Sequence, residues 1–314
     1  MWLVVIIVCI LFLSYLVFDI ILSNYFISVA LTRNKRKIKK YKKSLFKISK
    51  KVKEQMAKNK IDMEKWLNKI IYNEVKTTSH GLRLTALHLK NRSHKWVILL
   101  HGYTGCKEEL LHIGKWYYEQ GYNVLLPDLR AHGASQGKYF GMGYLDRLDI
   151  VHWMKYITSK DETAKIILHG HSMGAATALF TAGENPSHLV GCISDSAYTS
   201  VYRVFQIQIK KLFKLPGHAL LSTVNILFGL RKGGYYLNSG NVVKYTSKIK
   251  VPVLFIHGKK DDLLPVSMCD ELYDACNSKK EKVLLDDCGH AQGDLEDYNS
   301  YMNIVDNFIK KSIK

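Results

Sequence analysis

The chain has 314 residues, of which 47% are hydrophobic and 23% charged. That balance excludes a wholly disordered protein and allows one large domain or two ordinary ones. Five prolines and 21 glycines exclude collagen-like and proline-rich classes. The formal net charge is +19, but residues 33 to 60 hold fourteen Lys or Arg against a single acidic residue, Glu54. The basic character is therefore a local block, and the argument from pI for a nucleic-acid partner falls away. Cys9, Cys106, Cys192, Cys269, Cys276 and Cys288 form no CxxC pair and no Cys/His cluster of zinc spacing. They read as small buried hydrophobes in a protein without a metal site.

From Met1 to Thr32 the only charged side chain is Asp19. The run Met1 to Ile21 is apolar on every face of a helix, and about 20 such residues span a bilayer. Ser28-Val29-Ala30 offers small residues at a signal-peptide cleavage spacing. However, no basic residue precedes the run, and it exceeds the usual h-region of about 7–15 residues. The expectation is an uncleaved anchor over residues 1–31, with a cleaved signal as the alternative. A polybasic juxtamembrane linker or helix follows at 32–71, suited to anionic lipid through residues 33–60. The positive block just after the span predicts that the body of the chain beyond it faces the cytoplasm, against an extracellular-facing or secreted one.

The folded body is expected over 72–314. Residues 72–81 and 82–90 alternate as a hairpin around Ser79-His80-Gly81. Short apolar runs at 95–102, 122–129, 164–172, 189–196, 251–258 and 281–289 read as strands. Helical periodicity marks 107–120, 144–158, 173–183, 267–278 and 297–314. Strands alternating with helices imply a mostly parallel sheet covered on both faces. Residues 197 to 249 break this rhythm with two apolar helical segments, expected as a lid insertion or as core.

Gly170-His171-Ser172-Met173-Gly174 stands between a strand and a small-residue helix. A serine on such a turn projects its hydroxyl above the sheet, and the flanking glycines relieve crowding. Serine needs a base, and the base an orienting acid. Asp261 follows the strand ending at Gly258, and His290 follows the last strand. Asp262 and Asp195 are rival acids, the latter also at a strand's carboxyl end. The backbone amides of Tyr103 and Met173 are the candidate oxyanion donors. His101, His171 and His257 read as structural, and Asp128 as a loop-fixing group with Arg130.

The pieces HGYTG, DLRAHGASQG, GHSMG, HGKKDDLLP and CGH, in that order over about residues 80 to 312, resemble the α/β-hydrolase superfamily in its serine aminopeptidase-like and monoacylglycerol-lipase-like branch. The resemblance implies hydrolysis of esters, amides or related acyl bonds without metal or organic cofactor. It puts the acid at Asp261. Leu264 stands where the pattern usually has Val, and the stretch after His290 is unusually acidic. The resulting expectation is a membrane-anchored serine hydrolase cleaving short acyl esters or monoacyl lipids. An aminopeptidase of the same fold could use Asp294, Glu296 or Asp297 to hold a free amine. A catalytically silent binding protein is the rival of another class. A chain beginning near Asp62 is expected to be soluble and active.

Overall fold

In the computed structural model, which describes residues 1–33, 49–213 and 218–313, the β-branched apolar runs pair into one eight-stranded sheet. Strands β1 (Tyr72–Ser79) and β2 (Leu82–Leu89) form the hairpin, turning at His80 and Gly81 with φ of 48° and 75°. The remaining strands are β3 (Lys95–Leu100), β4 (Asn123–Pro127), β5 (Lys165–His171), β6 (Leu189–Asp195), β7 (Val253–Gly258) and β8 (Lys280–Leu285). Their spatial order is β1-β2-β4-β3-β5-β6-β7-β8. β2 meets β4 antiparallel, and every pair from β4 onward is parallel.

Helices cover both faces, because parallel strands this apolar must be buried on both sides. In chain order they are α1 (Trp2–Phe26), α2 (Lys50–Leu67), α3 (Leu111–Glu119), α4 (Asp146–Thr158), α5 (Met173–Ala182), α6 (Val201–Phe213), α7 (His218–Gly229), α8 (Val242–Thr246), α9 (Ser267–Ala275), α10 (Gly293–Glu296) and α11 (Tyr298–Ser312). One apolar cluster joins the sheet to α4, α5, α6 and α7, and a second joins its other face to α3 and α11. The helix expected from 107 begins as a 3-10 turn, Lys107–Leu110. The strand expected to 289 stops at Leu285, because the next residues turn back: Lys259 N–H donates to Leu285 O (2.8 Å) and Lys260 N–H to Cys288 O (3.0 Å).

The fold is an α/β-hydrolase fold, and α6 and α7 occupy the insertion between β6 and β7. The apolar amino-terminal helix runs on through a π-helical turn, Ile27–Leu31, so that Trp2–Leu31 is long and apolar enough to cross a membrane. Its first part is bare. Its last part is built into the body. Phe26, Ile27, Ala30 and Leu31 are buried, and Phe26 meets Phe205 of α6 edge to face at 5.4 Å. Two polar residues of α1 find partners on or near α7: Thr223 donates to Asp19, and Arg231 to Asn24. Leu31 O accepts from Phe140 N–H (2.9 Å), and Arg33 N–H donates to Lys138 O (2.9 Å). Most of the basic block, residues 34–48, lies outside the described residues.

Candidate active site

Ser172 sits where β5 turns into α5, with φ of 55° and ψ of −115°. Such a conformation is costly for a non-glycine residue and persists only where its surroundings fix it. Here Ser172 N–H donates to Asp195 O (2.8 Å). The flanking glycines are obligatory. A Cβ on Gly174 would lie 1.9 Å from Leu100 O, and one on Gly170 would lie 2.2 Å from Gly174 O. The turn therefore lifts the Ser172 hydroxyl over the carboxyl edge of the sheet.

His290, after β8, places Nε2 2.7 Å from Ser172 Oγ, and its Nδ1 lies 2.7 Å from Asp261 Oδ2. Asp261 follows β7, and its Oδ1 accepts from the amides of Leu263 and Leu264, both at 2.8 Å. Burial alone would raise this carboxyl, but His290, His257 and the Leu264 amide outweigh it and hold it well below the usual carboxylate range. It is therefore an anion at neutral pH. The rival acids sit elsewhere. Asp195 accepts from Ser196 Oγ (2.8 Å) and lies 3.7 Å from His171, whereas Asp262 is partly exposed beside Lys211.

The turn after β3 brings residues 102–104 against the serine, and a Cβ on Gly102 would lie 3.5 Å from Ser172 Cβ. Two buried histidines brace this turn. His101 Nε2 accepts from Leu129 N–H (3.1 Å), and His132 Nε2 accepts from Thr104 N–H (3.2 Å). Burial lowers both, His132 to about 3, so each stays neutral and able to accept. The Tyr103 hydroxyl donates to Ala30 O (2.8 Å), and its ring meets Phe140 at 5.3 Å. The amino-terminal segment thus touches the same turn that carries a candidate oxyanion donor. Met173 opens α5, where first-turn amides lack intrahelical partners.

Two cavities flank Ser172. One, of about 470 Å³, runs past His290 and is roofed by Val52, Met56, Met63 and Leu67 of α2. The other, of about 40 Å³, is an apolar slot between Met142, Tyr198, Phe205 and Leu263. The lining role of α2 was not among the sequence expectations, although its apolar residues recur at helical spacing on one face. Ser49 caps this helix, accepting from Val52 N–H (3.2 Å), and Lys51 pairs with Glu296 (2.8 Å). Trp66 meets Tyr118 at 5.7 Å.

Other expectations need correction. Asp128 does not pair with Arg130. It accepts from the amides of Lys107 and Ala134 (both 2.9 Å) and from Lys107 Nζ (3.1 Å), while Arg130 grips Asp149 with two bonds of 2.7 and 2.8 Å. The acidic stretch after His290 is also engaged. Asp294 pairs with His112, Glu296 with Lys51, and Asp297 caps α11 by accepting from Ser300 N–H. Among the described residues, no cluster of His, Cys, Asp and Glu has metal-binding form.

Residues 91–225 match the family model described as serine aminopeptidase, S33. The uncharacterised protein YqkD of Bacillus subtilis is 30% identical over 215 residues, covering 68% of this chain and 70% of that one. An uncharacterised membrane protein of Saccharomyces cerevisiae, YNL320W, is 25% identical over 74% of this chain and 77% of its own. The crystal structure of the Pyrococcus furiosus esterase Pf2001 superposes with a TM-score of 0.66 at 28% identity, covering 81% of this chain and 94% of that one. Est1E from Butyrivibrio proteoclasticus, bound to ferulic acid, shares the fold at a TM-score of 0.59 and 22% identity, covering 76% and 98%. The chain belongs to the α/β-hydrolase superfamily, in its serine aminopeptidase-like branch, and is a hydrolase.

Proposed function

We propose that this protein is a serine esterase working through an acyl-enzyme. The observation that carries the reading is the unbroken row Asp261–His290–Ser172, with two contacts of 2.7 Å, opening on an apolar cavity. Ser172 attacks the ester carbonyl while His290 takes its proton. Asp261 keeps the imidazole in the tautomer that can accept at Nε2 and stabilises the imidazolium that forms. The amides of Tyr103 and Met173 stabilise the negative charge that develops on the carbonyl oxygen. Water, activated by the same histidine, then releases the acid. Purified protein should be labelled by a fluorophosphonate probe at Ser172 and should hydrolyse simple esters. Failure of labelling in a folded sample would overturn the reading.

We further propose that α1 is an uncleaved membrane anchor. The peptide bond after Ala30, where a signal peptidase would cut, is part of the folded interior, since Ala30 is 1% exposed. The fourteen basic residues of 33–60 favour the cytoplasmic face and contact with anionic lipid. Protease added to intact spheroplasts should spare the catalytic domain; its rapid loss without lysis would place it outside.

A further inference from the structure

The two cavities at Ser172 differ about twelvefold in volume, at about 470 and 40 Å³, and only the larger one touches His290. That asymmetry has a chemical meaning. In acylation, Ser172 Oγ bonds to the acyl carbon and the bond from that carbon to the alcohol oxygen breaks. The proton that His290 took from Ser172 passes from Nε2 to the departing oxygen, and the alcohol leaves. The alcohol portion must therefore lie on the histidine side of the serine. The acyl portion stays on the serine and lies on the other side.

We propose that the large groove under α2 receives the alcohol and the small slot receives the acyl group, so the enzyme acts on short-chain acyl esters of large apolar alcohols. This rests on the esterase reading. The slot is lined mainly by Met142, Tyr198, Val204, Phe205, Leu263 and Leu264, with Gln208 beside them. At roughly 10–15 Å³ for each water-sized probe, 40 Å³ admits about three non-hydrogen atoms, an acetyl or propionyl group. The groove falls within the size range of sites that hold whole small molecules. Its alcohol-facing roof is Val52, Met56, Met63 and Leu67. Asn59, Lys60 and Glu64 of α2 also line the groove, but apolar side chains, Leu110 and Leu295 among them, make up most of its surface and favour a hydrocarbon alcohol over a sugar or glycerol. Specificity then resides in the leaving group, and it is set by a helix outside the β/α core.

Octyl acetate and ethyl octanoate are isomers that differ in which side of the ester carries the long chain. With the full-length protein in detergent, kcat/KM for octyl acetate should exceed that for ethyl octanoate by about tenfold or more, since each buried methylene contributes favourably only where it fits. Equal rates, or preference for ethyl octanoate, would overturn the assignment. Met56 is 40% exposed and tolerates enlargement. Met56→Trp should narrow the groove and lower the octyl acetate to ethyl acetate ratio of kcat/KM about fivefold or more. An unchanged ratio would remove α2 from substrate recognition. If wild-type protein cleaves none of these esters, the esterase reading itself falls, whatever the shape of the cavities.

Discussion

The groove beside Ser172 has two walls of different construction. One is made by the turns that end β3, β5 and β8, backed by the turn after β7 that carries Asp261. The other is α2, a helix that comes from the amino-terminal segment. The first wall is fixed by backbone geometry: a strained Ser172, glycines whose Cβ positions are already filled by carbonyls, and a carboxylate held by two amides. The second is held by one N-cap, the Lys51–Glu296 pair, an edge-to-face ring contact and the burial of Val52 and Met63. Chemistry belongs to the rigid wall and selection to the lightly attached one. A reacting constellation loses its advantage with sub-ångström misplacement, whereas an apolar surface tolerates adjustment.

The comparison is broken most severely from the rigid side. Ser172→Ala should lower ester turnover by about 10³-fold or more with an unchanged circular dichroism spectrum. Normal activity in that variant would mean that the row of three is not the catalytic machinery. Asp261→Asn should cost about 10³-fold in kcat, because the imidazole loses the partner that fixes its tautomer. Asp195→Asn and Asp262→Asn should be milder, and a dead Asp195→Asn with an active Asp261→Asn would move the acid to β6.

A chain starting at Asp62 tests what the amino-terminal segment contributes to both walls. The sequence alone led to the expectation that such a chain is soluble and active. The structure leads to the opposite. That chain lacks buried Phe26, Ile27, Ala30 and Leu31 and most of α2. Removing several large buried side chains at about 2–5 kcal/mol each exceeds the margin of a typical domain. It should aggregate or melt well below a chain starting at Phe18, and keep about a tenth of its activity or less. Equal melting temperatures would show that the docked end of α1 is dispensable. The smallest effect should come from Tyr103→Phe, which deletes the bond to Ala30 O. One hydrogen bond is worth about 0.5–1.5 kcal/mol, so kcat should fall about two- to tenfold with little change in KM.

Most of the rigid wall was legible in the sequence because it is made of short motifs at strand ends. GHSMG between a β-branched run and a small-residue run leaves few conformations, and the order Ser172, Asp261, His290 then follows the sheet. Asp195 and Asp261 both follow apolar strands, so the choice of Asp261 comes from the resemblance carried by HGKKDDLLP; in the structure its Oδ2 lies 2.7 Å from His290 Nδ1. The selecting wall was obscured by composition. Val52, Met56, Met63 and Leu67 do form a stripe at helical spacing, but they are interleaved with lysines and read as a solvated linker. In α1, Asp19, Ser23 and Asn24 lie on one face, a sign that this face packs on protein; the apolar run around them masked it. Arg130 and Asp149 are nineteen residues apart, joined only when α4 packs on the sheet, so no local pattern pairs them.

The bond from Tyr103 to Ala30 and the packing of Phe26 on Phe205 bear on how the protein is made. The amino-terminal helix leaves the ribosome before α6, against which it packs, and α6 follows about 180 residues later at the slow pace of synthesis. Until then its docking face stays uncovered. If the first half of the helix is inserted in a bilayer, the hydrolase completes its interior on a template already fixed at the membrane surface. Insertion and folding are then successive steps of one assembly line. Exchange of this helix for another apolar span of equal length would preserve membrane attachment and still lower the yield of active enzyme.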